Sequence, residues 1–237
     1  MSEQRFHNKL GEEYELFQLV LPHYNDLQNS VGNLIKENFV NSNLNKIEVL
    51  EIGFGSGVTS KVILSSDNRV YLTAIDDEPI MLSKAVENLE QFDKSRFNLQ
   101  IVDALKFLEK TGDNSFDAIA SAWVLHNFTK EYRSKVLNEI YRVIKPGSIF
   151  INADKIEVTD RKEHQKNMEW QLSQFEIFEK NGRPELKKEW TDHYFEDGKP
   201  ERVLIENEFI SEIKQIGFKS IDILKRWHDD AAAIIKK

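Results

Sequence analysis

The sequence predicts an α/β chain whose doubly wound, mostly parallel sheet is covered by helices on both faces. Three observations lead there. Short apolar, β-branched runs at 47–52, 70–75, 97–102 and 116–121 alternate with stretches whose apolar residues recur at helical spacing. The first run carries Glu51 near its end and then places Gly53, Gly55 and Gly57 at alternate positions around Phe54, the pattern of a strand feeding a tight turn into a helix. The second and third runs also end in acids, Asp76 and Asp103, so polar groups collect at the strands' C-terminal edge, where parallel sheets hold ligands.

The elements follow in order. Leu16, Phe17, Val20 and Leu21 form one apolar stripe, Pro22 interrupts it, and Tyr24, Leu27, Val31, Leu34 and Ile35 form a second, which predicts an N-terminal helical cap over 1–45. After the strand at 47–52 and its glycine turn comes the strand ending at Asp76. Asp77-Glu78-Pro79 then starts a helix, with acids at the positive end of the dipole and proline where a missing donor is harmless; Leu82, Val86 and Leu89 supply its buried face. The strand at 97–102, the strand at 116–121 and a helix from 129 to 144 follow, with Tyr132, Val136, Leu137, Ile140, Tyr141 and Ile144 inward. Lys145-Pro146-Gly147 marks the turn into a fifth strand that ends near Asp154. Residues 155–205 break the alternation and read as an inserted lid, opened by the helix cap Asp160 with Glu163. A helix at 206–216 capped by Gly217 and two strands around an Asp229-Asp230 turn close the chain, which is expected to be one domain over 1–237.

The glycine turn is not the usual dinucleotide fingerprint. That motif spaces its glycines G-x-G-x-x-G and holds a pyrophosphate; here the spacing is G-x-G-x-G, and Glu51 would repel phosphate but accept from an ammonium group. With Asp76, Asp103, the 116–126 segment and Lys145-Pro146-Gly147 in this order, the chain resembles the class I S-adenosylmethionine (SAM)-dependent methyltransferases. The resemblance implies a Rossmann-like seven-stranded sheet with an antiparallel C-terminal strand, SAM as cofactor and S-adenosylhomocysteine as product. It implies cofactor contacts from Glu51, Gly53, Phe54, Gly55 and Gly57, ribose contacts from Asp76 with Asp77 beside it, and adenine contacts from Asp103 and Ala104. Ala122 would border the cofactor, and Tyr24 would close over it, or else merely pack the helix pair. His126, in the loop after the fourth strand, is the expected general base, against the alternative of a loop histidine bonded to backbone. His193 and Tyr194 in the lid are further candidate bases; with the flanking Trp190 and Phe195 they would wall an acceptor pocket or else pack the lid onto the core. Trp123 would stack on adenine or acceptor or else be core, and Asp154 stands at a strand end without the convergent oxygens that a metal needs, so no metal is expected.

Composition narrows the function. The chain has 237 residues, no cysteine, and 40 acidic against 32 basic residues for a net charge of −8, which removes thiol nucleophiles and disfavours a broad nucleic-acid footprint. Ser121-Ala122-Trp123-Val124 replaces the Asn/Asp-Pro-Pro-Tyr/Phe loop of DNA amino-methylating enzymes. No run of about 18 apolar residues is present, so a cytoplasmic protein with no membrane partner is expected. The expected activity is methyl transfer from SAM to an oxygen or nitrogen of a small molecule, with no DNA partner and a homodimer left open. Leu21-Pro22-His23-Tyr24-Asn25-Asp26-Leu27 and the lid length are similar to the carboxy-SAM synthase branch, which keeps a carboxy-SAM or tRNA-linked role as the alternative. A SAM-binding protein without catalysis and a nicotinamide-dependent oxidoreductase are the further rivals.

Overall fold

A computed structural model describes residues 14–237; the first part of the expected N-terminal cap, 1–13, lies outside the described residues. The strands are β1 (Ile47–Ile52), β2 (Val70–Asp76), β3 (Phe97–Ile101), β4 (Phe116–Ala122), β5 (Ile144–Lys155), β6 (Ser220–Trp227) and β7 (Asp230–Lys236). They form one sheet in the order β3-β2-β1-β4-β5-β7-β6, with β7 antiparallel to both neighbours and the other pairings parallel. β1, flanked by β2 and β4 in the interior of the sheet, is buried almost throughout, as a strand covered on both faces must be. The order reverses between β1 and β4, which opens a crevice beyond their C-terminal ends.

After a 3₁₀ turn at Tyr14–Val20, helix α1 (Tyr24–Phe39) packs with α2 (Val58–Ser66) and α3 (Pro79–Asn88) over one face of the sheet. α4 (Ala104–Lys110), α5 (Lys130–Val143) and, beyond the inserted segment, the helix at Glu206–Ile216 cover the other face. Between β5 and that last helix run α6 (Arg161–Gln174), α7 (Glu176–Lys180) and α8 (Pro184–Asp197); the last helix is α9. Asp160 caps α6 as expected, accepting from the amides of Lys162 and Glu163. Phe175, Phe178, Leu186 and Trp190 make a small apolar cluster that is completed by Val20 from the N-terminal segment. Among the described residues no helix is long and apolar enough to cross a membrane.

Three details differ from the sequence reading. Helix α3 buries Met81, Ala85 and Leu89 and leaves Val86 50% exposed. The helix is rotated towards the glycine turn, where a Cβ on Gly57 would lie 2.9 Å from Ala85 Cα, so only glycine allows this packing. Lys145-Pro146-Gly147 does not precede β5 but lies inside it: buried Ile144 already pairs with Phe116, Ile149 pairs with Ala118, and the residues between bulge outward, with Gly147 at φ 78°. The hairpin turn falls on His228-Asp229, with Asp230 the first residue of β7. Asp229 and Asp230 are turned inward and accept bonds from buried side chains, so neither is a solvated turn residue.

Candidate functional site

The glycine turn between β1 and α2 is held in a conformation that side chains disfavour. Gly53, Gly55 and Gly57 have φ of 77°, 49° and 84°, and a Cβ on Gly53 would stand 2.3 Å from Val124 Cγ2. Gly53 N–H donates to Ile75 O at 2.7 Å, and Gly55 N–H donates to Asp76 Oδ2 at 2.8 Å, so the turn is tied to the end of β2. Asp76 Oδ1 accepts from Glu78 N–H at 2.8 Å. Burial pushes the Asp76 carboxyl up to about 6; these two amides oppose the shift and the charges of Asp77 and Glu78 add to it.

Around this turn lies a cleft of about 960 Å³, its open mouth included, a size suited to a nucleotide-like ligand. Tyr24, Gly53, Phe54, Gly55, Asp76, Asp77, Ala104 and Ala122 line it together, eight of the residues expected to contact a cofactor. Glu51, Gly57 and Asp103 are not among its lining residues. Glu51 is fully buried behind the turn, where Ser60 Oγ donates to Oε2 and Oε1 has no hydrogen-bond partner. Burial pushes its carboxyl up to about 8, with the Ser60 bond opposing and the Asp76 charge assisting. Asp103 caps α4, accepting from Lys106 N–H at 3.0 Å, and pairs with the Tyr132 hydroxyl, which itself faces the cleft. The sequence reading did not name Gln28, Thr59, Glu78, Met81, Asn127 or Tyr132 as lining residues. Gln28 and Tyr132 come from helices whose phase, but not whose pairing with the turn, is visible in sequence. No lysine or arginine lines the cleft among the described residues.

A second cavity of about 630 Å³ adjoins the first, lined by Phe17, Trp123, Phe175, Trp190 and Tyr194 with a polar side of His126, Lys155, His193 and Asp197. Trp123 lines both. It has a positive φ of 54°, uncommon for a bulky residue, and is fixed by stacking on Tyr24 at 5.1 Å between ring centroids and by an indole N–H bond to Asp230 Oδ1 at 2.9 Å. Asp230 also takes His23 Nε2 at 2.8 Å, so the residue before Tyr24 and the partition share one carboxylate. Phe195, expected beside Tyr194 in an acceptor wall, instead points outward and is 51% exposed.

His126 is 7% exposed at the polar side of this cavity. Its Nδ1 forms a short bond with Asp154 Oδ1; Asp154 also accepts from the backbone amides of Leu125 at 2.8 Å and Lys155 at 2.9 Å. A carboxylate at Nδ1 places the proton there and leaves the Nε2 lone pair for the cavity. Arg133, buried in α5, holds this loop by donating to Leu125 O at 3.3 Å, Arg202 O at 2.6 Å and Val203 O at 3.2 Å. The Asp154–His126 pair and the Arg133 anchor were invisible in sequence, because their partners come together only when β4, β5 and α5 assemble.

Residues 50–152 match the methyltransferase domain family. The demethylmenaquinone methyltransferase of Leptospira interrogans is 28% identical over 153 residues, which cover 62% of this chain and 57% of that protein, so the match spans little more than half of that relative. The carboxy-S-adenosyl-L-methionine synthase of Nautilia profundicola is 23% identical over the full length of both chains. A solved structure described as a putative S-adenosyl-L-methionine-dependent methyltransferase of Methanococcus maripaludis superposes with a TM-score of 0.60 and 20% identity, covering 100% of this chain and 97% of that one.

Proposed function

We propose, on the methyltransferase-domain match over residues 50–152, that this is a class I SAM-dependent methyltransferase in which SAM occupies the first cleft, a small-molecule acceptor occupies the second, and the methyl group passes to an acceptor oxygen or nitrogen. The observation that carries this reading is the shared wall: Trp123 separates a cleft rimmed by carboxylates from a mainly aromatic cavity that presents a basic nitrogen. When bound, SAM supplies a methyl group on a sulfonium and leaves as S-adenosylhomocysteine. The residues present fit it. Asp76 offers a carboxylate for ribose hydroxyls and the main chain of Gly53–Gly55 lines the cleft for close approach, while Glu51, buried behind the turn and bonded by Ser60, supports the turn from the far side. Ala104 and Tyr132 would flank the adenine, with Asp103 at their edge.

The protein's own work is orientation and proton removal. Aromatic walls exclude water and align the acceptor, an effect worth about 7–11 kcal/mol when the reacting atoms are held in line. His126 Nε2 would take the proton that the acceptor's O–H or N–H gives up as its bond to the methyl forms, while Asp154 keeps the ring in the tautomer that can accept it.

The full-length likeness to a carboxy-SAM synthase supports a second reading, in which the bound cofactor carries an extra carboxylate. The cleft argues for ordinary SAM: its described lining holds Asp76, Asp77 and Glu78 and no cation, Arg183 is engaged with Glu185, and Arg202 donates to Asn127 O. The same carboxylates oppose the pyrophosphate of NAD. Calorimetric titration should therefore show binding of SAM and S-adenosylhomocysteine, much weaker binding of carboxy-SAM, and none of NAD. NAD binding in place of SAM would remove the assignment, and a preference for carboxy-SAM would favour the second reading.

The pH dependence of SAM affinity is a separate test. A carboxyl raised to about 6 from its ordinary 3.8 holds its proton more tightly in the folded protein, so its contribution to folding stability declines as pH rises across that window. Ribose binding works in the opposite sense, because the ionised form is the better acceptor. Below pH 6 the dissociation constant of SAM should rise by about tenfold per unit, and Asp76→Asn should flatten that dependence.

A further inference from the structure

We infer that His126, His193 and Asp197 form a binding site for one divalent transition-metal ion in the second cavity. One ligand atom from each lies within 4.8 Å of the other two, and all three residues line that cavity. Asp197 Oδ2 is 3.8 Å from His126 Nε2, and Asp197 Oδ1 is 3.7 Å from His193 Nε2. These spacings are too long for hydrogen bonds, yet two atoms each about 2.1 Å from one ion stand up to about 4.2 Å apart. A small contraction of side chains would thus let one ion bridge these groups.

Two independent features favour a cation here. His126 already has the arrangement found behind metal-bound imidazoles: Nδ1 is bonded to a buried carboxylate, Asp154, so the tautomer is fixed and Nε2 points at the other two groups. The surroundings are also negative. Asp229 and Asp230, both buried, line the same cavity as Asp197. Lys155 Nζ is 3.7 Å from Asp197 Oδ2, but it rests 3.6 Å from the centre of the Tyr194 ring and donates to Tyr194 O, so it does not close the site. Two imidazoles and one carboxylate suit zinc, iron, cobalt or manganese better than magnesium or calcium, which prefer oxygen ligands. Three protein ligands leave positions open toward the cavity, where an acceptor's oxygen atoms could bind. The ion and an acceptor proton would compete for one lone pair, so the loaded protein does not use His126 as a base. His193 and Asp197 are four residues apart on one face of α8, whereas His126 comes from the segment after β4, so only the pair is spaced in sequence and the third ligand joins it through the fold.

The test is titration of the chelator-treated full chain with Co²⁺, followed by calorimetry and by visible absorption, which reports the coordination sphere directly. One equivalent should bind with visible ligand-field bands, and His193→Phe and Asp197→Asn should each weaken binding by about tenfold or more. Far-UV circular dichroism and a thermal melt check that each variant folds, and if Asp197→Asn does not, His193→Phe decides. Absence of the bands at stoichiometric Co²⁺, retention of full affinity in the folded variants, or loss of binding in His164→Gln instead, which would place the ion at Asp229, overturns the site. SAM affinity is read in a separate titration, so failure of the cation site and failure of the methyl-transfer reading are distinguishable.

Discussion

In metal-free protein, His126→Ala is expected to lower kcat by about 10²–10⁴-fold while SAM affinity changes by no more than about twofold. The magnitude is that of a positioned general base, and the split between the two measurements follows from geometry: His126 lines the second cavity and is absent from the lining of the first. Asp154→Asn should also slow turnover. A carboxamide NH₂ facing Nδ1 favours the tautomer that carries its proton on Nε2, so the defect should change the shape of the pH–rate profile as well as its height. Turnover by His126→Ala equal to the parent protein's at every pH would remove the base and leave orientation alone.

The second large effect is expected at Gly53. Alanine there must adopt a left-handed conformation, costing about 1–2 kcal/mol, and must displace Val124 from a Cβ contact of 2.3 Å, a form of overpacking that costs about 1–3 kcal/mol. Together these should lower Tm by roughly 5–15 °C and weaken SAM binding, because the turn can relax only into the cleft. Gly55→Ala is the control. Its φ of 49° carries the conformational cost, but no atom lies within 4 Å of the new Cβ, so its Tm should fall much less. Equal losses at the two positions would mean that backbone strain alone, and not the Val124 contact, sets the shape of the turn.

The parts legible in sequence were those written locally. The strand–glycine–helix order announced the turn, and the strand-end acids announced Asp76, since each depends on residues a few places apart. Helix α3 was placed correctly and Leu89 is buried as expected, but Met81 and Ala85 take the places assigned to Leu82 and Val86, because Gly57 draws Ala85 inward and that contact joins two elements. Asp229 and Asp230 looked like a turn on composition alone; their roles depend on His164, Asn167, His23 and Trp123, which approach from three other parts of the chain. For Glu51 and Asp103 the sequence located the carboxylates at the sheet edge, while burial and helix capping decided where they point.

The bond between the Trp123 indole and Asp230 has a consequence for biosynthesis. A chain emerging from the ribosome completes its glycine turn, β2 and β4 long before Asp230 is made, yet the indole finds this acceptor only when the final hairpin zips against β5. A nascent chain could thus display a half-formed nucleotide crevice with its dividing ring unanchored, and competence would arrive abruptly with the last strand to dock.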